Sequence, residues 1–430
     1  MKNLNIPVGI SDFEKIRREG FYYIDKTGLV KELLNPKPAE VTLITRPRRF
    51  GKTLAMSMLE NFFDIKKNSR DLFAGLEISA SEELCSRWMN QCPTVSLSFR
   101  QVDGLDFSSA YDMLTMVISN LFNRHRYLLE SQEISEFQKT AFVQIASQKA
   151  TAGEIKNSLI LLTDMMQTYY GKKVLLLVDE YDVPVAKANN NGYYEEMLDV
   201  MKGLMQALKD NRALGFAVVT GCIKIAKESI FTGTNNFVSD TIADSRLNEY
   251  FGFVQREVDQ ILADGEITDK RELIKQWYDG YHFGDWDVYC PWDVMNYVLE
   301  LQHNPQAKPA GYWKNTSDNA IIRSFIDYAG GSITRKLEIL MEGGYIIQQI
   351  DKNLTYDYLH SSEDNLWSVL YLTGYLTQVR SETLNRELPA GSAALQIPNA
   401  EIREIFETTV IRWFDDSAKT WNRNHLFAAV

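Results

Sequence analysis

Gly51, Lys52 and Thr53 stand in that order shortly after the β-branched run Val41–Thr45 and a group of arginines, and the combination suits phosphate chemistry. At a helix start, successive backbone N–H groups can surround phosphate oxygens while a lysine reaches the β- and γ-phosphates and a hydroxyl ligates Mg2+. The spacing predicts a phosphate loop over Arg46–Thr53, with Arg46, Arg48, Arg49, Phe50, Gly51, Lys52, Thr53 and Leu54 contacting nucleotide. One position departs from the common pattern. Where the first of two loop glycines normally stands, five residues before Gly51, this chain has Arg46. Glycine there lets the backbone approach phosphate, so its absence predicts a differently shaped loop in which Arg48 and Arg49 add charge directly.

Gly-Lys-Thr alone is a common tripeptide whose ordinary reading is a solvated helix start. Its weight comes from a second constellation, Lys172-Lys-Val-Leu-Leu-Leu-Val178 followed by Asp179 and Glu180. A carboxylate at the end of a buried strand suits Mg2+, which Thr53 and Asp179 are expected to share, and a neighbouring carboxylate suits orientation of an attacking water, assigned here to Glu180. The ordinary reading of the acid pair alone is a polar turn. A third segment, Val218-Val-Thr220-Gly-Cys-Ile-Lys224, ends a strand with groups able to sense a γ-phosphate. Thr220 and Lys224 are both candidates for that role, against a turn-capping threonine and a surface lysine.

These residues need a scaffold that brings strand ends together. Leu54, Met56, Met58, Leu59, Phe62 and Phe63 recur at helical spacing, so the loop opens a helix. Strands are read at Pro93–Phe99, Val174–Asp179 and Leu214–Thr220, with helices at Ala110–Phe122, Leu159–Tyr170 and Tyr194–Leu208 between them. Such alternation predicts an α/β three-layer domain with a central parallel sheet over residues 1–240. The five apolar residues before Asp179 suit a strand buried on both faces. Trp/Tyr-rich helical segments over 241–330, among them Glu257–Leu262, Lys270–Tyr278 and Ala320–Tyr328, read as a helical lid. Residues 331–430 read as a winged-helix-like region, with a helix at Asn365–Leu372, strands near Tyr375–Arg380 and Ala394–Ile397, and a helix at Ala400–Phe414.

Composition narrows the class further. A net charge of −11 argues against a chain coated for nucleic acid, yet residues 1–53 hold 11 Lys/Arg against 6 Asp/Glu, so basic charge gathers at the loop. Cys85, Cys92, Cys222 and Cys290 show no metal-ligand spacing and are read as buried or incidental thiols. No apolar run reaches membrane-spanning length, and the start lacks a secretory h-region, so the expected compartment is the cytoplasm. The aromatic group Trp277, Tyr278, Tyr281 and Trp286 is read as packing in preference to base stacking, and His282 lacks a nucleophile placed for a triad.

Several segments together resemble the AAA-ATPase-like family of bacterial P-loop NTPases: Pro7–Phe13, Tyr22–Thr27, Arg46–Thr53, Asp179–Asp182, Trp277–Tyr281, Tyr312–Trp313 with Asn315–Ser317, and Thr373–Thr377. The resemblance implies an ATPase, with Lys52 and Thr53 as phosphate and Mg2+ contacts and Asp179 and Glu180 as the Walker B pair. It makes the arginine-rich loop a family trait, and it alone selects adenine over guanine. Asp25-Lys26-Thr27 reads either as a segment beside the nucleotide or as a capping turn. Members commonly carry a C-terminal PD-(D/E)XK nuclease domain, which this chain is expected to lack. Asp64-Ile-Lys66 and Glu154-Ile-Lys156 match its [Asp/Glu]-x-Lys element but are read as chance matches within helices.

The expected function is therefore that of a regulatory NTPase that binds and hydrolyses ATP with Mg2+. The rival reading is a nucleotide-gated binding or scaffold module, with a nucleic-acid or protein partner engaged through the C-terminal region and no useful turnover. No arginine finger is named by the residues, since Arg46, Arg48 and Arg49 can act within the chain while another arginine acts across an interface.

Overall fold

The computed structural model describes residues 2–224, 237–313, 331–352, 354, 363–384 and 387–409. Five strands, β1 (Val41–Thr45), β2 (Thr94–Ser98), β3 (Val174–Asp179), β4 (Leu214–Gly221) and β5 (Phe237–Asp240), form one parallel sheet in the order β2-β3-β4-β1-β5. β1 and β3 are buried along their whole lengths, as their β-branched and aliphatic runs require. Alternation then divides the side chains between two faces. Val41, Leu43, Val174, Leu176 and Val178 join a core with the helices Phe107–Asn123, Ser158–Tyr170 and Tyr194–Leu204. Ile44, Leu175 and Leu177 join the opposite core, beneath the helices Gly28–Leu34 and Lys52–Phe63. The expected central parallel sheet between helical layers is present; β5 is a strand that the sequence pattern had not marked.

Because the β4 strand lies between β1 and β3, three strand ends stand side by side: Thr45 faces Gly221, and Asp179 lies within bonding distance of Thr220. Sites in open α/β sheets form outside such carboxyl ends.

Beyond the sheet, the helices Gln255–Asp264, Arg271–Tyr278 and Pro291–His303 share an apolar core with Ile6 and Ile24 of the N-terminal segment. A short antiparallel hairpin, β6 (Tyr281–Phe283) and β7 (Trp286–Val288), interrupts this region, where helices alone were expected. Tyr278 and Tyr281 are buried, in keeping with the packing reading of the aromatic group. The C-terminal part contains a three-stranded antiparallel sheet, β8 (Ile346–Gln349), β10 (Ser392–Gln396) and β9 (Thr377–Gln378) in that order, with β8 additional to the two strands expected. The helices Gly331–Met341 and Glu363–Leu372 and a helix over residues 400–409 accompany it. The expected helix Ala320–Tyr328, the segment Asn315–Ser317 and the last residues of Ala400–Phe414 lie outside the described residues.

Of the two chance nuclease matches, Glu154–Lys156 is helical, but Asp64–Lys66 is not. Asp64 is the C-cap of Lys52–Phe63 and bridges to Cys92. Among the described residues, no helix is long and apolar enough to cross a membrane.

Candidate functional site

Gly51 has φ 86° and caps the helix Lys52–Phe63, so the loop turns through a left-handed residue that glycine adopts without a Cβ clash. A second left-handed residue is Arg49 at φ 72°, whereas Arg46 is absent from the positive-φ positions. The departure from the common motif thus has a backbone explanation: position 46 does not need glycine, and the unusual conformation falls three residues later, on an arginine. Such a conformation costs about 1–2 kcal/mol in an L-residue and persists only where surrounding contacts hold it. At Arg49 those contacts are visible. Its guanidinium carbon lies 4.0 Å from the Trp292 ring centroid, and its carbonyl accepts the Cys290 thiol at 3.9 Å.

Arg46 corrects the expected nucleotide-contacting set. Its side chain is fully buried and turned to β5, donating to Asp240 Oδ1 at 2.5 Å, Asp240 O at 2.9 Å and Thr45 O at 2.8 Å, with Phe251 facing the guanidinium at 5.3 Å. Burial opposes the charge and Asp240 restores it, so the pair is a structural tie between the ends of β1 and β5. Only its carbonyl faces the loop interior, where it accepts from Lys52. Lys52 Nζ donates to Arg46 O and Pro47 O, both at 2.8 Å, and reaches Cys222 Sγ at 3.6 Å.

The residues at the strand ends meet closely. Thr53 Oγ1 donates to Asp179 Oδ2 at 2.9 Å, and Thr220 Oγ1 donates to Asp179 Oδ1 at 2.5 Å, so one buried carboxylate is held from two elements. Next to it Glu180 takes φ 52°, a left-handed conformation that turns its side chain to the cavity wall. Burial pushes the Glu180 carboxyl above the ordinary glutamate range, against the pull of Lys52; Asp179 and Asp182 add to the upward shift. Asp182, also raised by burial, accepts the N–H groups of Cys222 and Ile223 at 2.9 and 3.1 Å and fixes the chain leaving β4. That exit carries Lys224 away. Its ammonium lies 5.9 Å from the Phe237 ring centroid and is not part of the cavity wall, so of the two sensing candidates only Thr220 meets the carboxylate.

A cavity of about 610 Å³ runs from this point along the N-terminal segment, within the size of small-molecule sites. Arg48, Arg49, Phe50, Gly51, Lys52, Thr53 and Leu54 line it at the loop end. Val8, Ile10, Tyr22, Phe253 and Trp292 form its apolar walls. Lys26 also lines it, but its ammonium is tied to both Glu257 oxygens at 2.7 Å and to Glu249 O at 2.6 Å. Asp25 accepts the Thr27 N–H and hydroxyl in a turn just before the helix Gly28–Leu34, and the Thr27 side chain makes no cap bond to that helix. Residues missed by sequence reasoning are Arg100, Lys187 and Trp292. Arg100 was legible in principle, since it follows a predicted strand at the end where sites form; nothing in the local sequence marked the other two.

The donors suit a hard cation. Thr53 and Asp179 offer oxygen, and among the described residues no three His, Cys, Asp or Glu side chains gather to form an all-protein cage. Mg2+ matches that chemistry, because it is usually held by one or two protein oxygens with phosphate and water.

Comparisons with known proteins identify the family. A chain of Azotobacter chroococcum mcd 1, named "Uncharacterized protein in vnfD 5'region", is 26% identical over 426 residues, covering 97% of this chain and 72% of that relative. No solved structure matches. The family model described as "Predicted AAA-ATPase" matches residues 7–231, a span holding the loop, the acid pair and four of the five sheet strands. The chain belongs to this AAA-ATPase-like family.

Proposed function

We propose that the chain binds ATP in the cavity beside the loop and hydrolyses it to ADP and phosphate. The observation that carries the proposal is the pair of bonds converging on Asp179 from Thr53 and Thr220, with Glu180 as the adjoining residue. Lys52 sits where a short swing from its carbonyl partners takes its ammonium to β- and γ-phosphates. Arg48 and Arg49 add positive charge to the loop rim, and the backbone N–H groups at the start of Lys52–Phe63 face the same end. Thr53 and Asp179 would hold Mg2+, which supplies charge neutralisation at the phosphates. Thr220 orients Asp179, and Glu180 orients the attacking water and receives its proton.

Nucleotide affinity and phosphate release are the tests, measured for wild type, Lys52→Ala and Glu180→Gln. Lys52→Ala should lose most of its binding. Glu180→Gln should bind as wild type does while phosphate release falls about 100-fold or more, the scale of a lost general base. Turnover in Glu180→Gln equal to wild type would remove Glu180 from the mechanism.

One observation favours a gating role alongside turnover. Phe50, inside the phosphate loop, is buried in the core formed by Trp313, Trp367, Tyr371 and other C-terminal residues. Loop conformation and C-terminal packing are therefore linked, which supports a regulatory use of nucleotide state. A partner, whether nucleic acid or protein, would be engaged by that C-terminal part.

A further inference from the structure

Three of the six cations that line the cavity, Arg48, Arg49 and Lys52, belong to the loop itself. Another, Arg100, comes from a different strand. It follows β2, which pairs in register with β3 so that Ser98 stands beside Asp179, and the Phe99 N–H extends the pairing by donating to Asp179 O at 3.0 Å. Arg100 therefore leaves the sheet level with Glu180, and the electrostatic neighbours of Glu180 include it together with Lys52. Arg49 feels it as well, and since β3 and β4 lie between β2 and β1, Arg100 and the loop reach the same cavity from different strands.

Its side chain is uncommitted. Arg49 stacks on Trp292, Lys52 bonds to loop carbonyls, and Lys187, another cation in this wall, pairs with Asp103 at 3.2 Å. Arg100 is exposed, and among the described residues its guanidinium makes no hydrogen bond or ion pair; only its backbone N–H is engaged, donating to Ser98 Oγ at 3.3 Å. An arginine that lines a cavity, faces a catalytic carboxylate and has no protein partner is arranged for an anionic ligand.

We propose that Arg100 contacts the terminal phosphate of a bound nucleoside triphosphate and supplies, within the same chain, the positive charge that stabilises its transfer to water. This rests on the ATPase reading above. In that step a bond forms between the water oxygen and the terminal phosphorus, and the bond from that phosphorus to the bridging oxygen breaks. The bridging oxygen keeps the electron pair in the departing diphosphate, and the water proton passes to Glu180 and then to solvent. Charge grows on the bridging oxygen as the equatorial oxygens flatten, and a guanidinium from a different strand completes a cationic ring around them. A diphosphate, lacking the terminal group, would not reach Arg100.

The experiment measures affinity of the full chain for a non-hydrolysable triphosphate analogue and for ADP, with phosphate release from ATP, in wild type, Arg100→Ala, Arg100→Lys and Lys52→Ala. Arg100→Ala should leave ADP affinity unchanged, weaken the triphosphate analogue about tenfold and lower phosphate release about a thousandfold, the lower end for a lost arginine finger. Arg100→Lys should recover part of the affinity and less of the rate, because a point charge replaces a planar fork. Equal weakening of both nucleotides, or no change in either affinity or rate, overturns the assignment of Arg100. Binding by Lys52→Ala as tight as wild type overturns the phosphate-loop reading instead, and the affinity ratio decides the role of Arg100 even where turnover is slow.

Discussion

Glu180 combines two properties that pull in different directions. Its left-handed backbone aims the carboxylate at the cavity, while burial makes that carboxylate harder to ionise. In the proposed mechanism only the ionised form accepts a proton from water. Phosphate release should therefore fall on the acid side at a pH above the ordinary glutamate value of about 4.3, and the limb should vanish from the residual rate of Glu180→Gln. A pH–rate profile whose acid limb is identical in the two proteins would show that another group titrates. At this scale the meeting of Thr53 with Asp179 beside Glu180 was legible because their types and spacing suit phosphate chemistry. Arg46 was not, since an arginine beside a phosphate loop and an arginine bound to Asp240 look alike in sequence when β5 is unrecognised.

At the scale of elements, the sheet is held at its rim by that buried pair. β1 and β5 share ladder bonds along their length, but at the end nearest the site the joint depends on Arg46 reaching Asp240. Asp240→Ala leaves a guanidinium buried without its carboxylate and should destabilise the fold by about 3–5 kcal/mol, read from denaturant unfolding. A loss near zero would mean that a rearranged Arg46 finds another carboxylate, such as Asp244, whose charge already favours its guanidinium. Strands β1, β3 and β4 were readable because aliphatic runs buried on both faces leave a strong pattern, and β2 because apolar and polar residues alternate along it. β5, with only four residues and half-buried side chains, leaves little, and the hairpin β6–β7 is shorter still.

Across the whole molecule, the region after β5 does not sit apart from the sheet. Ile6 and Ile24 pack among the helices Gln255–Asp264 and Pro291–His303, and Asp293 at the start of the latter meets Glu401 from the C-terminal helix. Both carboxyls are fully buried and pushed above the ordinary carboxylate range, each chiefly by burial and Glu401 also by the neighbouring charge of Asp293. Because these folded values exceed the unfolded ones, the native state is favoured at low pH. That advantage drains away as pH rises from the ordinary carboxylate range through these values. Glu401→Gln mimics the protonated acid and keeps an oxygen for the Trp313 N–H, now accepted at 2.7 Å. It should raise Tm by about 2–4 °C or more at pH 8 and by much less at pH 5. An equal shift at both values would count against a raised pKa at Glu401. The bounds read at residues 240 and 330 follow changing composition; contacts across them, such as those of Ile6, Ile24 and Glu401, were not legible because cores assembled from distant segments leave no mark in a linear pattern.

Phe50 carries this interdependence into the loop. Its ring packs 5.0 Å from Tyr281 and 5.1 Å from Phe283, and one residue type away from glycine at position 374 would press a Cβ to 3.0 Å from Pro47. The Phe50 ring can therefore leave its pocket only when that core loosens, whereas the loop main chain stays open to the cavity. The ring's surroundings become a gauge of that core's local opening, recorded beside the phosphates rather than at the chain's far end.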